Sequence, residues 1–237
     1  MSAFYHAFFF DPLYNALIFL FKIFPWADAG IIIILLTIIV RLILFPLSRR
    51  ATLTQAKMSE AAPELEAIKE KYKNNPEEQT RRTLALYKER GINPFSGIFV
   101  IIIQLPIVLA LYQIFLHFPE VNSAILYSFI SAPSVINTAF LGIDITGKSV
   151  ILALLAGVST YAQFKVAMKN QSAPKGNSFG DNLTRSIQTQ AKYIFPLVMF
   201  FIAYQISGVI GLYFFVTNLF SIVQEIFIRR NLKVNPA

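Results

Sequence analysis

The sequence contains no cysteine. Disulfide bridges, thiol nucleophiles, cysteine-held metal centres and cysteine-linked lipid anchors are therefore excluded. Histidine is scarce. His6 and His117 are far apart and neither stands in a ligand-like cluster, which argues against a histidine metal site. A glycine-rich phosphate loop is also missing, so no nucleotide and no other cofactor is expected. A serine hydrolase would need a base beside its serine, and neither histidine adjoins a nucleophile motif. The composition reads as that of a protein that is not an enzyme.

Apolar residues are abundant. They make up 55% of the 237 residues, the mean hydropathy is +0.56, and they fall in blocks of membrane length. The expectation is an all-α membrane protein, one domain of four to six helices with no room for a large soluble domain. Residues 29–48 form the first clear span. Residues 49–94 turn polar and read as a charged helical hairpin, its first helix running to about Lys73. Asn75 is placed to cap the second helix, with Pro76 at its first position and Gly91 as its stop. Further spans follow at 95–117, 149–168, 191–207 and 209–228. An uncharged-looking connection (118–148), a polar flexible loop (169–190) and a short basic tail (229–237) complete the chain.

Residues 1–28 have two readings. "FYHAFFFDPLYNALIFLFKIFP" is hydrophobic but interrupted by polar residues, and it lacks the marks of a signal peptide. From Pro12 to Phe24 is 13 residues, about 20 Å as a helix and short of the hydrocarbon core. A helix lying in the interface is favoured over a span.

The net charge of +8 has a topological explanation. Residues 49–94 hold ten Lys/Arg, 165–192 hold five and 229–237 hold three; the opposite segments hold Lys22 and Lys148. Five spans put all three basic segments on one face, which the positive-inside rule assigns to the cytoplasm. The carboxyl terminus is then cytoplasmic. The surplus also suits anionic lipid or ribosomal RNA; no DNA partner is implied.

Within the spans, polar residues form stripes. Arg41 stands in "TIIVRLILFPLSRR", about seven residues or roughly 10 Å from the end of its span. A mid-helix charge costs at least ~2.5 kcal/mol on insertion scales, and Arg49 and Arg50 already supply anchors. One reading is a charge facing a watery cavity, the other an arginine that snorkels or is satisfied by a buried partner. Thr37 lies one turn earlier on the same face. The second span carries Gln104; the third carries Ser159, Thr160 and Gln163; the last carries Asn218, Ser221 and Glu225. One such residue ties helices together; several stripes point to a shared hydrophilic hollow. Glu225 has two candidate partners, Arg41 and Arg229.

Taken in order, "ILLTIIVRLILFPL" (34–47), the hairpin ending "GINP" (91–94), "QLP" (104–106), "YAQFKVAM" (161–168), "FPLVMFF" (195–201) and "GLYFFVTNLFSIVQ" (211–224) resemble the YidC/Oxa/Albino family of membrane protein insertases. The resemblance runs over about residues 10–230. It implies five transmembrane helices around a hydrophilic groove, an N-terminal interfacial helix and a cytoplasmic helical hairpin. By position, the family's groove residues fall on Arg41, Thr37, Gln104, Gln163, Thr217 and Asn218, with aromatic contact from Phe214. "SGVIG" stands where "PAG" is common, and Phe214 where Trp or Tyr is frequent. With no lipobox cysteine and no large outer domain, the sequence is similar to the short bacterial members.

The implied function is membrane protein insertion in the bacterial inner membrane. A wet groove shortens the dry path of a polar tail, and the apolar segment leaves sideways into lipid. The implied partners are nascent membrane proteins, the ribosome–nascent chain complex, the Sec translocon, the signal recognition particle receptor and membrane lipids. A small-solute transporter or channel would also want an intramembrane arginine, but inverted repeats are not visible.

Overall fold

A computed structural model describes residues 3–93, 95–168 and 179–234. It is mostly helical: α1 (Ala3–Ile23), α2 (Ala29–Glu60), α3 (Ala62–Lys71), α4 (Pro76–Glu89), α5 (Ser96–Leu116), α6 (Val150–Met168), α7 (Phe179–Ile206) and α8 (Gly208–Val234). A two-stranded antiparallel ribbon pairs β1 (Ala139–Phe140) with β2 (Ile143–Asp144). Among the described residues, four helical stretches are long and apolar enough to cross a membrane: Ala3–Ile23, Ala29–Glu60, Val150–Met168 and Gly208–Arg230. Ile102–Leu116 and Lys192–Ile206 are apolar but shorter. The chain is a multi-pass, all-α membrane protein.

Several boundaries differ from the sequence reading. α1 does not begin at Pro12; it extends back to Ala3 through a π turn over His6–Phe10. The wider π turn accommodates the proline that follows it. α2 passes through Pro46 and does not stop at residue 48; it continues to Glu60. The hairpin's first arm ends at Lys71, close to the expected Lys73, but it is interrupted at Ala61, with Pro63 in the opening turn of α3. Proline fits there because the first turn has no use for its missing N–H. α7 is already helical at Phe179, well before the expected span start at residue 191. Extending an existing helix needs no new nucleus, so a polar sequence joins it at little cost. Residues 169–178 of the expected loop (169–190), the "P" of "GINP" at position 94 and the last three tail residues lie outside the described residues.

Caps set the helix starts. Asp28 accepts a hydrogen bond from the Ile31 amide at 3.0 Å, and Asn75 accepts one from Glu78 at 3.1 Å. Each satisfies an orphan donor of a first turn. Gly91, at φ +59°, follows α4, a conformation that favours glycine. Beyond it, Ala61, Leu86 and Ile92 form a small core with Met58, Leu65, Ile68 and Tyr87. An Arg90–Glu64 ion pair crosses the same hairpin.

The helices line up so that α6 packs on both α7 and α8, α8 packs on α2, and α2 packs on α5. Glycines permit the closest approaches. A Cβ on Gly211 would sit 2.8 Å from the Leu152 carbonyl carbon, and one on Gly157 would sit 3.1 Å from the Pro196 carbonyl oxygen. The α7–α8 turn is only Ser207. Gly208 N donates to Gly147 O and Val209 N to Ile145 O, each at 2.8 Å.

The connection 118–148 is built as a cap over the end of the bundle where α2 starts. Asn15, 1% exposed, donates to Ile125 O at 3.0 Å and accepts from Tyr127 N at 2.7 Å. The Tyr14 hydroxyl accepts from Asn122 N at 2.6 Å. Ala29 N donates to Asn137 O at 2.8 Å. The Phe140 ring lies where a Gly30 Cβ would be, 2.2 Å away, so the ribbon sits directly on the first turn of α2.

Candidate functional site

Apolar side chains of α2, α5, α6 and α8 fill the core on the side of the cap, among them Ile32, Ile33, Leu36, Leu111, Leu152 and Val209. The polar residues follow along the same helices toward the basic end. Arg41 is half-buried on α2. Among the described residues it has no hydrogen bond and no ion pair. Tyr213 of α8 lies within electrostatic range of it. Tyr213 is 4% exposed, and the side chains of Gln104 (α5) and Thr217 (α8) lie beside its hydroxyl. Tyr213 therefore stands between the polar residues of α5 and α8, within electrostatic range of Arg41 on α2.

Tyr213 does not give Thr217 a hydrogen bond of ordinary geometry. The Thr217 hydroxyl oxygen is buried without a partner among the described residues. Such a group is costly unless water or a ligand meets it. Gln104 is half-buried. Phe214 is half-buried too, its ring edge-on to Tyr213 at 5.3 Å between centroids.

Two of the sequence-derived candidates have committed donors. The Thr37 hydroxyl donates to Ile33 O at 2.6 Å within its own helix and is buried. The Asn218 amide donates to Ser159 Oγ at 3.0 Å and Thr160 Oγ1 at 2.8 Å. Both hydroxyls in turn donate to Ala156 O, at 3.0 and 2.7 Å. Asn218 thus ties α8 to α6, and among the described residues its Oδ1 has no hydrogen-bond partner. Gln163, half-buried, stands one turn beyond Ser159 and Thr160 on α6.

At the basic end, Glu225 resolves its two alternatives. Arg229 Nε donates to Glu225 Oε1 at 2.6 Å, and both side chains are largely buried, 14% and 12% exposed. Thr52 of α2 donates to the other carboxylate oxygen at 3.3 Å. Arg229 Nη2 donates to Ala167 O of α6 at 3.2 Å. A second link runs from Gln224 Nε2 to Ser48 Oγ at 2.8 Å. Glu225 is therefore committed to a lock between α2, α6 and α8, and Arg41 lies outside it.

Tyr213 is the residue that sequence reasoning passed over. Its signal was present: a tyrosine in a span interior must hold its hydroxyl near a polar partner. In "GLYFF" it stands among apolar aromatic residues, and periodicity alone does not separate a packing ring from a polar hub. Among the described residues, no group of three His, Asp or Glu is placed to hold a metal ion.

Comparison with known proteins completes the picture. Residues 19–235 match the family model described as 60Kd inner membrane protein. Over 226 residues the chain is 30% identical to the membrane protein insertase YidC of Wolinella succinogenes, covering 95% of this chain and 38% of that protein. It is 34% identical over 200 residues to the membrane protein insertase YidC of Clostridium perfringens, covering 84% and 77%. For that of Clostridium tetani the identity is 28% over 207 residues, covering 87% and 84%. The chain spans well under half the length of the first relative and most of the other two.

Proposed function

The chain belongs to the 60Kd inner membrane protein family, and from that premise we propose that it is a membrane protein insertase. It spans the bacterial inner membrane with five helices: the α2 span, α5, α6, the apolar part of α7, and α8. α1, although long and apolar enough to cross, lies in the outer interface, where Tyr14 and Asn15 bind it to the 118–148 connection; the α3–α4 hairpin and the carboxyl terminus face the cytoplasm, and a groove opens between α2, α5, α6 and α8. The observation that carries this reading is Arg41. It sits in a span, half-buried, without a hydrogen bond or ion pair among the described residues. A cation in that state needs water or an arriving anion.

Arg41 meets carboxylates on the tail or loop of an inserting chain. Gln104, Gln163 and the unpartnered Thr217 hydroxyl offer hydrogen bonds along the path, and Phe214 offers an apolar edge. Thr37 and Asn218 shape the wall, and the Asn218 Oδ1 remains for a substrate amide. The path across dry hydrocarbon is shortened, and the apolar segment then partitions sideways into lipid, where its burial stabilises the product. The step is physical and makes or breaks no covalent bond in the substrate. Nascent membrane proteins are the substrates, reaching the chain from the ribosome–nascent chain complex with the Sec translocon and the signal recognition particle receptor as partners.

The test is reconstitution of the purified chain with single-spanning substrates that differ only in tail charge. A charge-assisted hydrogen bond contributes about 1.5–3 kcal/mol. Arg41→Ala is expected to slow insertion of an acidic tail at least about tenfold and a neutral tail far less, with Arg41→Lys between the two. Equal rates for wild type and Arg41→Ala on acidic tails refute the electrostatic role.

A further inference from the structure

At the end of α2 remote from the basic hairpin, the turn after α1 and residues 131–137 enclose an open cavity of about 360 Å³. Its walls differ in chemistry. Lys22, Ser131, Ser134 and Asn137 supply polar groups, and Phe21 and Trp26 supply apolar surface. No carboxylate lines it.

The polar groups are held with donors to spare. Lys22 Nζ donates to Phe129 O at 3.0 Å, which holds the ammonium against the loop and leaves its other two hydrogens. The Asn137 Oδ1 accepts from Ala139 N at 3.1 Å, so its NH2 is the end left for a ligand. Trp26 is 75% exposed. An indole open to water forfeits its burial, whereas one at headgroup level keeps its ring in the acyl boundary and its N–H wet. Lys22 and Lys148 are the two basic residues of the segments on this side of the chain, so a cation here is not part of the topological charge bias.

We propose that this cavity is a binding site for the headgroup of an anionic phospholipid in the adjoining leaflet. Lys22 takes the phosphate, the Ser131 and Ser134 hydroxyls and the Asn137 amide take its ester oxygens, and Trp26 lies along the glycerol and upper acyl chain. The site requires that the chain sit in a bilayer and is independent of insertion activity.

Trp26 is the single tryptophan of the chain, so its emission reports on this cavity alone. The full chain is placed in nanodiscs of phosphatidylcholine containing a minor fraction of brominated phosphatidylglycerol or, in parallel, of brominated phosphatidylcholine. Preferential quenching by the anionic lipid is expected to be about fivefold, the effect of one lysine beside an anionic headgroup. Lys22→Gln, an exposed position, is expected to abolish the preference, and Lys148→Gln to leave it. Equal quenching by the two lipids, or an equal loss in both lysine variants, overturns the proposal. So does loss of the preference in millimolar inorganic phosphate, which would make the site one for the free ion.

Discussion

The tie between α6 and α8 gives the sharpest test of how the polar stripes divide their labour. Asn218 spends both amide hydrogens on Ser159 and Thr160, and it is only 8% exposed. Asn218→Leu keeps the volume and removes both bonds. Interhelical hydrogen bonds in membranes average about 0.6 kcal/mol and reach about 1.7. The two together are therefore expected to contribute about 1–3 kcal/mol. Ser159 and Thr160 retain their own acceptor at Ala156 O, so the substitution strands no buried donor. The assay is reversible unfolding in mixed micelles of rising dodecyl sulfate fraction, followed by Trp26 emission and circular dichroism. A cycle with Thr160→Val isolates the shorter bond, because once Asn218 is Leu the second change has less left to remove. The insertion defect of Asn218→Leu should be the same for acidic and neutral tails. Unchanged stability together with a defect confined to one tail type would refute the structural role and assign the amide to the substrate.

Further predictions concern the lock, a close helix contact and a turn. Glu225→Gln leaves Arg229 buried without its carboxylate and is expected to destabilise by about 3 kcal/mol. Pairing it with Arg229→Met recovers much of the loss, and additive losses in the same unfolding assay refute the pairing. Gly211→Ala drives a Cβ to 2.8 Å from the Leu152 backbone and is expected to cost about 1–3 kcal/mol; wild-type stability would show that α6 and α8 separate freely. Asp144 accepts from the Thr146 amide at 3.0 Å and hydroxyl at 2.8 Å, which holds its carboxyl below the usual aspartate value. That support for the turn is complete above the unfolded-state pKa and is lost as pH falls through the lower folded-state value. Thr146→Val removes the hydroxyl and keeps the amide, so it should raise the pKa part of the way, read by carboxyl-carbon nuclear magnetic resonance; an unmoved titration refutes the hydroxyl's share.

Run length, composition and periodicity made the helical membrane class legible, because hydrocarbon demands long apolar segments whose backbone groups are satisfied internally. The ordered motifs likewise led to the family. Local chemistry placed Asn75, Pro76 and Gly91, since caps and stops depend on neighbours within one turn. Those same local rules failed where an element was continued by its neighbour: α2 passes Pro46, and α7 reaches back to Phe179. The sequence by itself thus determined that this chain lives in a membrane, that its cations gather in three segments between and after the spans, and that its spans hold polar stripes. Only the tertiary structure decided which stripes meet. It tied Glu225 of α8 to Thr52 of α2 and Asn218 to Ser159 and Thr160 of α6, and it brought Tyr213 of α8 toward Arg41 and Gln104. Those pairings depend on how helices distant in sequence are rotated and how closely glycines let them approach. No periodicity within one helix encodes either quantity.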